Sequence, residues 1–195
     1  MISIGIDNGL FGAVVAIDSS YKILFYFDTP IVNLTKTKKG GKKSIGHEFA
    51  PATMCETLKG FVAQYPTDRK KIWLEVAQAM PQQGLSSTFK TGRGAGLWEG
   101  IVVGLGLSYD VVHAKTWTKA LLKDVPAGDP KERSMIKAQR LFGADLPLTK
   151  PGGRVLSLDG RADAALIACY GMAQSRGDWD DIVKVMKKTP VLKKH

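Results

Sequence analysis

The chain is poor in cysteine and histidine and has no long apolar run. Its 195 residues include two cysteines and three histidines. Cys55 and Cys169 lie among apolar residues at helical spacing, which indicates reduced core thiols in a cytosolic-type compartment. His47 and His113 lack metal-ligand spacing, and no run of about 18 apolar residues predicts a membrane span. These absences argue against a disulfide scaffold, a zinc centre and an integral membrane protein.

Acidic residues are fewer than basic ones: the chain has 18 Asp and Glu and 28 Lys and Arg, which gives a net charge of +10. Such an excess predicts a polyanionic partner, most commonly nucleic acid, although a merely solvated basic surface is the alternative. Strand-like sequence begins at Met1 and leaves no room for a signal peptide, so we expect a cytoplasmic protein. The length predicts one domain over residues 1–176, followed by a basic C-terminal tail over 177–195.

The order of predicted elements indicates an α/β fold. An Asn8-Gly9 turn joins the first two strand-like runs into a hairpin, and a third strand follows. Strands and helices then alternate as α-β-α-β and end in three helices. This order predicts a five-stranded mixed sheet flanked by helices. Residues 33–46, rich in lysine and glycine, are interpreted as a flexible basic loop.

One predicted helix carries an unusual number of glycines. Ser86 or Ser87 is a candidate N-cap for a helix that continues to about Leu105. This helix contains Gly92, Gly94, Gly96, Gly100 and Gly104. Each glycine costs about 1 kcal/mol relative to alanine in a helix, which suggests close approach of another backbone or a ligand. Close packing of the helix on the sheet explains the pattern equally well.

Four carboxylates are candidates for a single site. Asp7 ends the first strand and Glu75 lies near the end of the fourth. If these strands are adjacent and parallel, both side chains reach the same edge of the sheet. Asp159 and Asp163 share one face of the last long helix, one turn apart, where like charges repel. Helix capping explains Asp159, but it does not explain Asp163.

Converging carboxylates point to a hard divalent cation. Four acidic side chains cannot meet unpaired, because repulsion and desolvation would protonate some of them. Oxygen-only ligands suit Mg²⁺, with Mn²⁺ as a substitute, and a pair of such ions supports phosphodiester hydrolysis. An acidic metal pocket on a basic protein predicts a nuclease. Each carboxylate taken singly also has an ordinary structural explanation.

Four sequence blocks carry a family resemblance over residues 1–175. In order they are IGIDNGLFGAVVAID, LEVAQAMPQQGLSSTFKTGRGAGLWEGIV, VVHAKTWTKALL and DGRADAALIACYG. Together they resemble the RuvC-type Holliday junction resolvases, particularly the compact bacteriophage ones. The resemblance implies a ribonuclease H-like fold, a homodimer and metal-dependent nicking of branched DNA. It implies that the catalytic metal ligands are Asp7, Glu75, Asp159 and Asp163.

The chain departs from the family pattern at several positions. Asn8 stands where proline is usual, which should alter only the turn. Asp159 and Asp163 are four residues apart, whereas three is common, so which of them is the more direct ligand stays open. Around Trp117 the expected proline and lysine are replaced by Ala114 and Thr118. Lys115 and Lys119 are then the candidates for contact with the scissile phosphate.

Further residues are predicted to contact DNA. The phosphate-clamp candidates are Lys36, Lys38, Lys39, Lys42, Lys43 and Arg93, with a solvated loop as the alternative. Met80 follows the strand of Glu75, where such resolvases insert a wedge into the junction; ordinary loop packing is the alternative. Phe89 and Trp98 either stack on bases or fill core and dimer contacts.

Other functions remain to be separated from junction cleavage. The same fold could act on flaps, Y-structures or RNA–DNA hybrids, or the protein could bind junctions without cutting them. The GIDNG segment also resembles the phosphate loop of actin-like kinases and ATPases. Those enzymes need a second large domain, for which 195 residues leave no space.

Overall fold

The computed structural model describes residues 1–37, 40–79, 84–148, 158–180 and 182. The strands are β1 (Ile2–Ile6), β2 (Ala13–Ile17), β3 (Ile23–Asp28), β4 (Ile31–Thr37), β5 (Lys43–Phe49), β6 (Lys70–Glu75) and β7 (Tyr109–Val112). The helices are α1 (Pro51–Ala63), α2 (Leu85–Gly104), α3 (Ala114–Leu121), α4 (Pro130–Phe142) and α5 (Asp159–Arg176), with a 3₁₀ turn at Gly143–Asp145.

Five strands form the central sheet in the order β3-β2-β1-β6-β7. β2 runs antiparallel to both β1 and β3, while β6 is parallel to β1 and to β7. The predicted α/β fold with a five-stranded mixed sheet flanked by helices is therefore confirmed. An antiparallel second strand within an otherwise parallel sheet is the ribonuclease H-like arrangement that the resemblance implied. The parallel pairing of β1 with β6 brings the ends that follow Ile6 and Leu74 to the same edge.

The interpretation of residues 33–46 as a loop is wrong. β4 and β5 form a separate two-stranded antiparallel hairpin, with pairs from Ile31–Phe49 to Thr37–Lys43. At its tip, Gly40 and Gly41 have φ values of 92° and 78°, which glycine adopts without strain. The lysines and glycines of this segment suggested a loop, but the described ones lie on the two strands or at the hairpin tip beside Gly40 and Gly41.

Alternation along the central strands divides the core into two layers. Ile2, Ile4 and Ile6 of β1 point to one face of the sheet, where α1 and α2 cover them. Trp98 of α2 is fully buried in this layer, so it fills the core rather than stacking on bases. The opposite face packs against α3, α4 and α5, and this second layer includes Trp73, Trp117 and much of α5.

The glycines of α2 are explained at one position. A Cβ on Gly94 would lie 2.3 Å from the Asn8 carbonyl oxygen and 2.7 Å from Cζ of Phe49, so this glycine permits close packing. A Cβ on Gly92, Gly96, Gly100 or Gly104 would meet no described atom within 4 Å. The helix begins at Leu85 after Gly84 and has no side-chain cap, so the predicted role of Ser86 or Ser87 as N-cap is wrong.

The ends of α4 and α5 carry the residue types that are usual at helix ends. Asp129 caps α4 by accepting hydrogen bonds from the backbone N–H groups of Lys131 and Glu132. α5 ends at Gly177, whose φ of 66° is left-handed. The Trp179 ring lies 5.4 Å from the Tyr170 ring and Ile182 is buried, so described residues beyond 176 also pack on the body. Among the described helices, none has the length and apolar character needed to cross a membrane.

Candidate active site

The register of β1 against α5 places Asp7. Ser3, Gly5 and Asp7 share one face of β1 because side chains alternate along a strand. Ser3 Oγ donates to the Ala168 carbonyl oxygen at 2.8 Å, and a Cβ on Gly5 would lie 2.0 Å from the Ala164 carbonyl oxygen. A step of two residues along β1, from Ser3 to Gly5, thus corresponds to one turn toward the N-terminus of α5, from Ala168 to Ala164. The next step brings Asp7 to the first turns of α5, which carry Asp159 and Asp163.

Close backbone contact fixes the start of α5 against the turn after β1. Gly12 and Gly160 form an isolated parallel bridge, and a Cβ on Gly160 would lie 2.5 Å from the Phe11 carbonyl oxygen. On the other side, Arg161 donates to both oxygens of Asp28 at 2.6 and 2.9 Å. The two aspartates of α5 are therefore held by neighbours on both sides of the helix.

Glu75 joins the same face from β6. It lies two residues beyond Trp73, whose indole packs so closely on Gly171 that a Cβ there would approach within 2.1 Å. The Trp117 indole N–H of α3 donates to Glu75 Oε1 at 2.9 Å, and Asn8 Nδ2 donates to the Glu75 carbonyl oxygen at 2.5 Å. Asn8 thus ties the β1 turn to the end of β6.

The four carboxylates share one electrostatic environment. Burial, reinforced by Glu75 and Asp159, raises the pKa of Asp7 to about 7, despite the hydrogen bond from Gly9 N–H. Burial and the charge of Asp7 raise the pKa of Asp163 to about 8, although a hydrogen bond with Ser134 opposes the shift. Burial also raises the pKa of Glu75, against the Trp117 hydrogen bond. The four predicted acids therefore lie close enough to one another to interact electrostatically.

A lysine that the sequence did not reveal also belongs to this cluster. Lys131 Nζ, from the first turn of α4, lies 2.7 Å from Asp159 Oδ2. That hydrogen bond and the charges of Asp163 and Asp7 raise the pKa of Lys131. Nothing in the sequence pairs the start of α4 with the start of α5, because the contact depends on how the two helices pack. The Asp129-Pro130 cap could at most have located the first turn of α4.

The donor set fits a hard divalent cation. Asp163 Oδ1 is buried without a hydrogen-bond partner, and the raised pKa values of Asp7 and Asp163 mark carboxylates that lack a compensating charge. Oxygen donors of this kind suit Mg²⁺ or Mn²⁺. Within the described part of the chain, no group of three or more His, Cys, Asp and Glu is arranged to hold a metal ion as it stands. Repulsion among the charged carboxylates opposes their closer approach around one ion until a cation neutralises them.

The structure describes some of the predicted DNA-contacting residues and not others. Lys43 begins β5 and Lys42 precedes it at the hairpin tip; both are exposed. Arg93 of α2 donates to Glu48 Oε2 at 2.7 Å. Lys115 and Lys119 lie on α3, the helix that carries Trp117. Lys36 is part of β4 but its side chain is not described, and Lys38, Lys39 and Met80 fall outside the described residues.

Comparison with known proteins gives structural neighbours and no sequence match. No family model and no curated protein matches this chain. Two solved structures of RuvC from Thermus thermophilus are similar, one of them in complex with a Holliday junction substrate. Each has a TM-score of 0.49 and covers 91% of this chain and 97% of the neighbour's; the identities are 12% for the complex and 14% for the other.

Proposed function

We propose that this protein is a metal-dependent endonuclease that nicks four-way junctions and related branched DNA. The observation that carries the proposal is the meeting of Asp7, Glu75, Asp159 and Asp163 on one face of the sheet, with mutual repulsion and an unpartnered buried oxygen. The net charge of +10 supports a polyanionic substrate. The ribonuclease H-like sheet and the sequence resemblance to RuvC-type resolvases favour branched DNA as that substrate.

The carboxylates would hold Mg²⁺, for which Mn²⁺ would substitute. When bound, such ions activate a water molecule and stabilise the leaving oxygen of a phosphodiester. Asp7 and Glu75 are fixed by the ends of β1 and β6, and Asp159 and Asp163 by α5, so the ligands come from rigid elements. The Trp117 indole N–H orients Glu75 by occupying Oε1. Lys131 places a positive charge beside Asp159, where a substrate phosphate would also be attracted.

The remaining predicted contacts would hold the DNA. Lys42 and Lys43 at the hairpin tip, Arg93 on α2, and Lys115 and Lys119 on α3 supply positive charge for phosphates. Because cutting a junction symmetrically takes two active sites, we propose a homodimer. Sedimentation of the purified protein at micromolar concentration tests this; a monomer that remains one when bound to junction would refute it.

The direct test is cleavage of a synthetic four-way junction labelled on each strand. With Mg²⁺ the wild-type protein should produce paired, symmetric nicks, which disappear with EDTA and in Asp7→Asn. Asp110→Asn is the matched control. It removes one acid from β7, and Asp110 Oδ2 pairs with Lys71 Nζ at 3.1 Å, away from the four-acid cluster. Intact junctions under every divalent condition would reject the proposal. Flaps, Y-structures and RNA–DNA hybrids, run in parallel, decide which branched substrate is preferred.

A second variant distinguishes a nuclease from a protein that binds junctions without cutting them. Glu75→Gln should abolish cutting while leaving junction binding intact or tighter, because it removes a negative charge near DNA phosphates. Gel-shift titration in EDTA measures this binding. Equal loss of binding and cutting in Glu75→Gln would show that the acids are structural.

A further inference from the structure

A cavity of about 690 Å³ opens between the turn after β1, the β4–β5 hairpin and the start of α2. Its walls include Phe11, His47, Ser86, Lys90 and Thr91. The volume falls in the range of about 300–1,000 Å³ that is typical of small-molecule sites in proteins. None of these residues belongs to the four carboxylates, so the cavity is a separate feature next to the proposed active site.

Phe11 is the distinctive residue of this cavity. Its side chain is 68% exposed, although a phenylalanine that serves packing is normally buried. The ring stands edge-on to His47, with centroids 5.5 Å apart and planes at 73°, so one face of the phenyl ring is not covered by the imidazole. A planar aromatic ligand would bury this face by stacking.

The wall opposite Phe11 is positively charged and preformed. Lys90 Nζ donates to the His47 carbonyl oxygen at 2.8 Å and lies 3.3 Å from Glu48 Oε1, which ties α2 to the hairpin. Arg93 contacts the other oxygen of Glu48 at 2.7 Å. Two cations therefore share one carboxylate, which leaves a net positive charge beside the cavity; of these three residues, Lys90 lines it. Lys43 lies on the same face of β5 as His47 and extends the positive charge toward the hairpin tip.

The position of the cavity connects it to the substrate of the carboxylates. Phe11 and Asp7 belong to the same connection between β1 and β2, which the hydrogen bond from Asp7 N–H to the Ala13 carbonyl oxygen closes at 3.0 Å. The backbone of Phe11 touches Gly160, next to Asp159. A nucleic acid strand with a phosphate at the carboxylates would thus have its neighbouring nucleotides within reach of the cavity.

We propose that this cavity binds one unstacked base of the DNA strand that is cut. The base stacks on Phe11, and the phosphates next to it lie toward Lys90 and the hairpin. This inference rests on the proposed nuclease function. A branched substrate offers such a base at low cost, because nucleotides at a branch point are already incompletely stacked. The aromatic contact is independent of base identity, so it would anchor the strand without reading sequence.

Binding of a single-stranded oligothymidylate in EDTA tests the cavity without cleavage. Phe11→Ala should weaken the affinity about tenfold, the size of one base–aromatic stack, and Phe11→Tyr should retain it within about twofold. Val103→Ala is the matched control, because Val103 is 58% exposed on α2 but does not line the cavity. Unchanged affinity in Phe11→Ala, or an equal loss in Val103→Ala, would overturn the inference.

Photocrosslinking gives an independent result on the intact protein. A four-way junction with 5-iododeoxyuridine at single positions beside the branch is irradiated with wild-type protein in EDTA, and adducts are mapped by mass spectrometry. Adducts on Phe11 or His47 support the inference, and adducts confined to other residues contradict it. If the wild-type protein nicks junctions but Phe11→Ala binds normally, only the cavity inference fails. If it neither binds nor nicks DNA, the proposed function itself fails.

Discussion

Helices α5 and α2 cover opposite faces of the same sheet and contain two and five glycines respectively, yet they are built differently. Eleven of the eighteen residues of α5 are buried, whereas three of the twenty residues of α2 are: Gly94, Trp98 and Val102. In α5, Gly160 allows contact with the backbone of the β1 turn and Gly171 allows contact with the Trp73 indole; in α2 a Cβ at four of the five glycines would meet no described atom. The comparison shows that α5 is a core helix that carries two of the proposed metal ligands, while α2 leaves most of its surface exposed or partly exposed.

The largest effect is expected where α5 carries the acids. Asp163→Asn should reduce junction cleavage by about a thousandfold or more, because removing a metal ligand takes several kcal/mol of electrostatic stabilisation from the transition state. Lys90→Gln, on α2, should retain the cleavage rate at saturating enzyme. Single-turnover cleavage of a labelled junction measures both. Similar rate losses in the two variants would remove the distinction between the helices.

A pair of glycine substitutions tests the packing difference. Gly5→Ala would force a Cβ to within 2.0 Å of the Ala164 carbonyl oxygen and 2.4 Å of the Ala168 nitrogen, both backbone atoms of α5. The strand and helix must separate, and we expect a loss of about 3 kcal/mol or more in the free energy of unfolding. Gly96→Ala, in open space on α2, should stabilise by about 0.5–1 kcal/mol. Urea denaturation measures both; destabilisation by Gly96→Ala would reveal a hidden contact of α2.

The buried acids should make the metal-free protein less stable as pH rises. The pKa of Asp163 is about 8 in the folded chain, above its ordinary value of 3.8, so the folded state holds the proton more tightly than the unfolded state. This contribution is complete below about pH 4, declines as the pH rises toward 8, and is absent above. At pH 8 in EDTA, the stability of Asp163→Asn should therefore exceed that of the wild type by on the order of 2 kcal/mol.

Thermal melts at pH 5 and pH 8 measure this difference. Mg²⁺ should raise the Tm of the wild-type protein at pH 8 and have little effect on Asp163→Asn, because the ion replaces the missing compensating charge. A difference in Tm between the wild type and Asp163→Asn that is the same at both pH values would show that Asp163 does not titrate in this range.

The smallest effects are expected at the hairpin beside α2. Lys42→Gln and Lys43→Gln should each weaken junction binding only a few-fold and lower the slope of the salt dependence by about 0.9 for each phosphate that is no longer neutralised. Maximal cleavage at saturating protein should not change. Anisotropy titrations between about 50 and 200 mM salt, with Lys59→Gln on α1 as control, measure the slope. An unchanged slope in both hairpin variants would exclude these lysines as ligands of DNA phosphates.

Much of the fold could be predicted because the signals were local. The hairpin of β1 and β2 and the order of strands and helices each depend on neighbours in sequence. The hairpin of β4 and β5 was missed because its seven-residue strands are largely exposed and flank a stretch of sequence rich in lysine and glycine, so composition outweighed pattern. The glycines of α2 were interpreted as a sign of close approach of another backbone or a ligand, or of close packing on the sheet. Close packing is found at Gly94, and a Cβ at the other four would meet no described atom.

In the candidate site, too, some properties follow from the sequence and others depend on tertiary packing. The sequence alone determined which acids end β1 and β6 and begin α5, and the net positive charge of the chain, since both follow from residue order and composition. Only the tertiary structure decided that Lys131 meets Asp159, that Asp163 Oδ1 is buried unpartnered, and that Phe11 faces a cavity walled by α2 and the hairpin. These properties depend on the packing of segments distant in the chain, where burial and charge act through space rather than along the sequence.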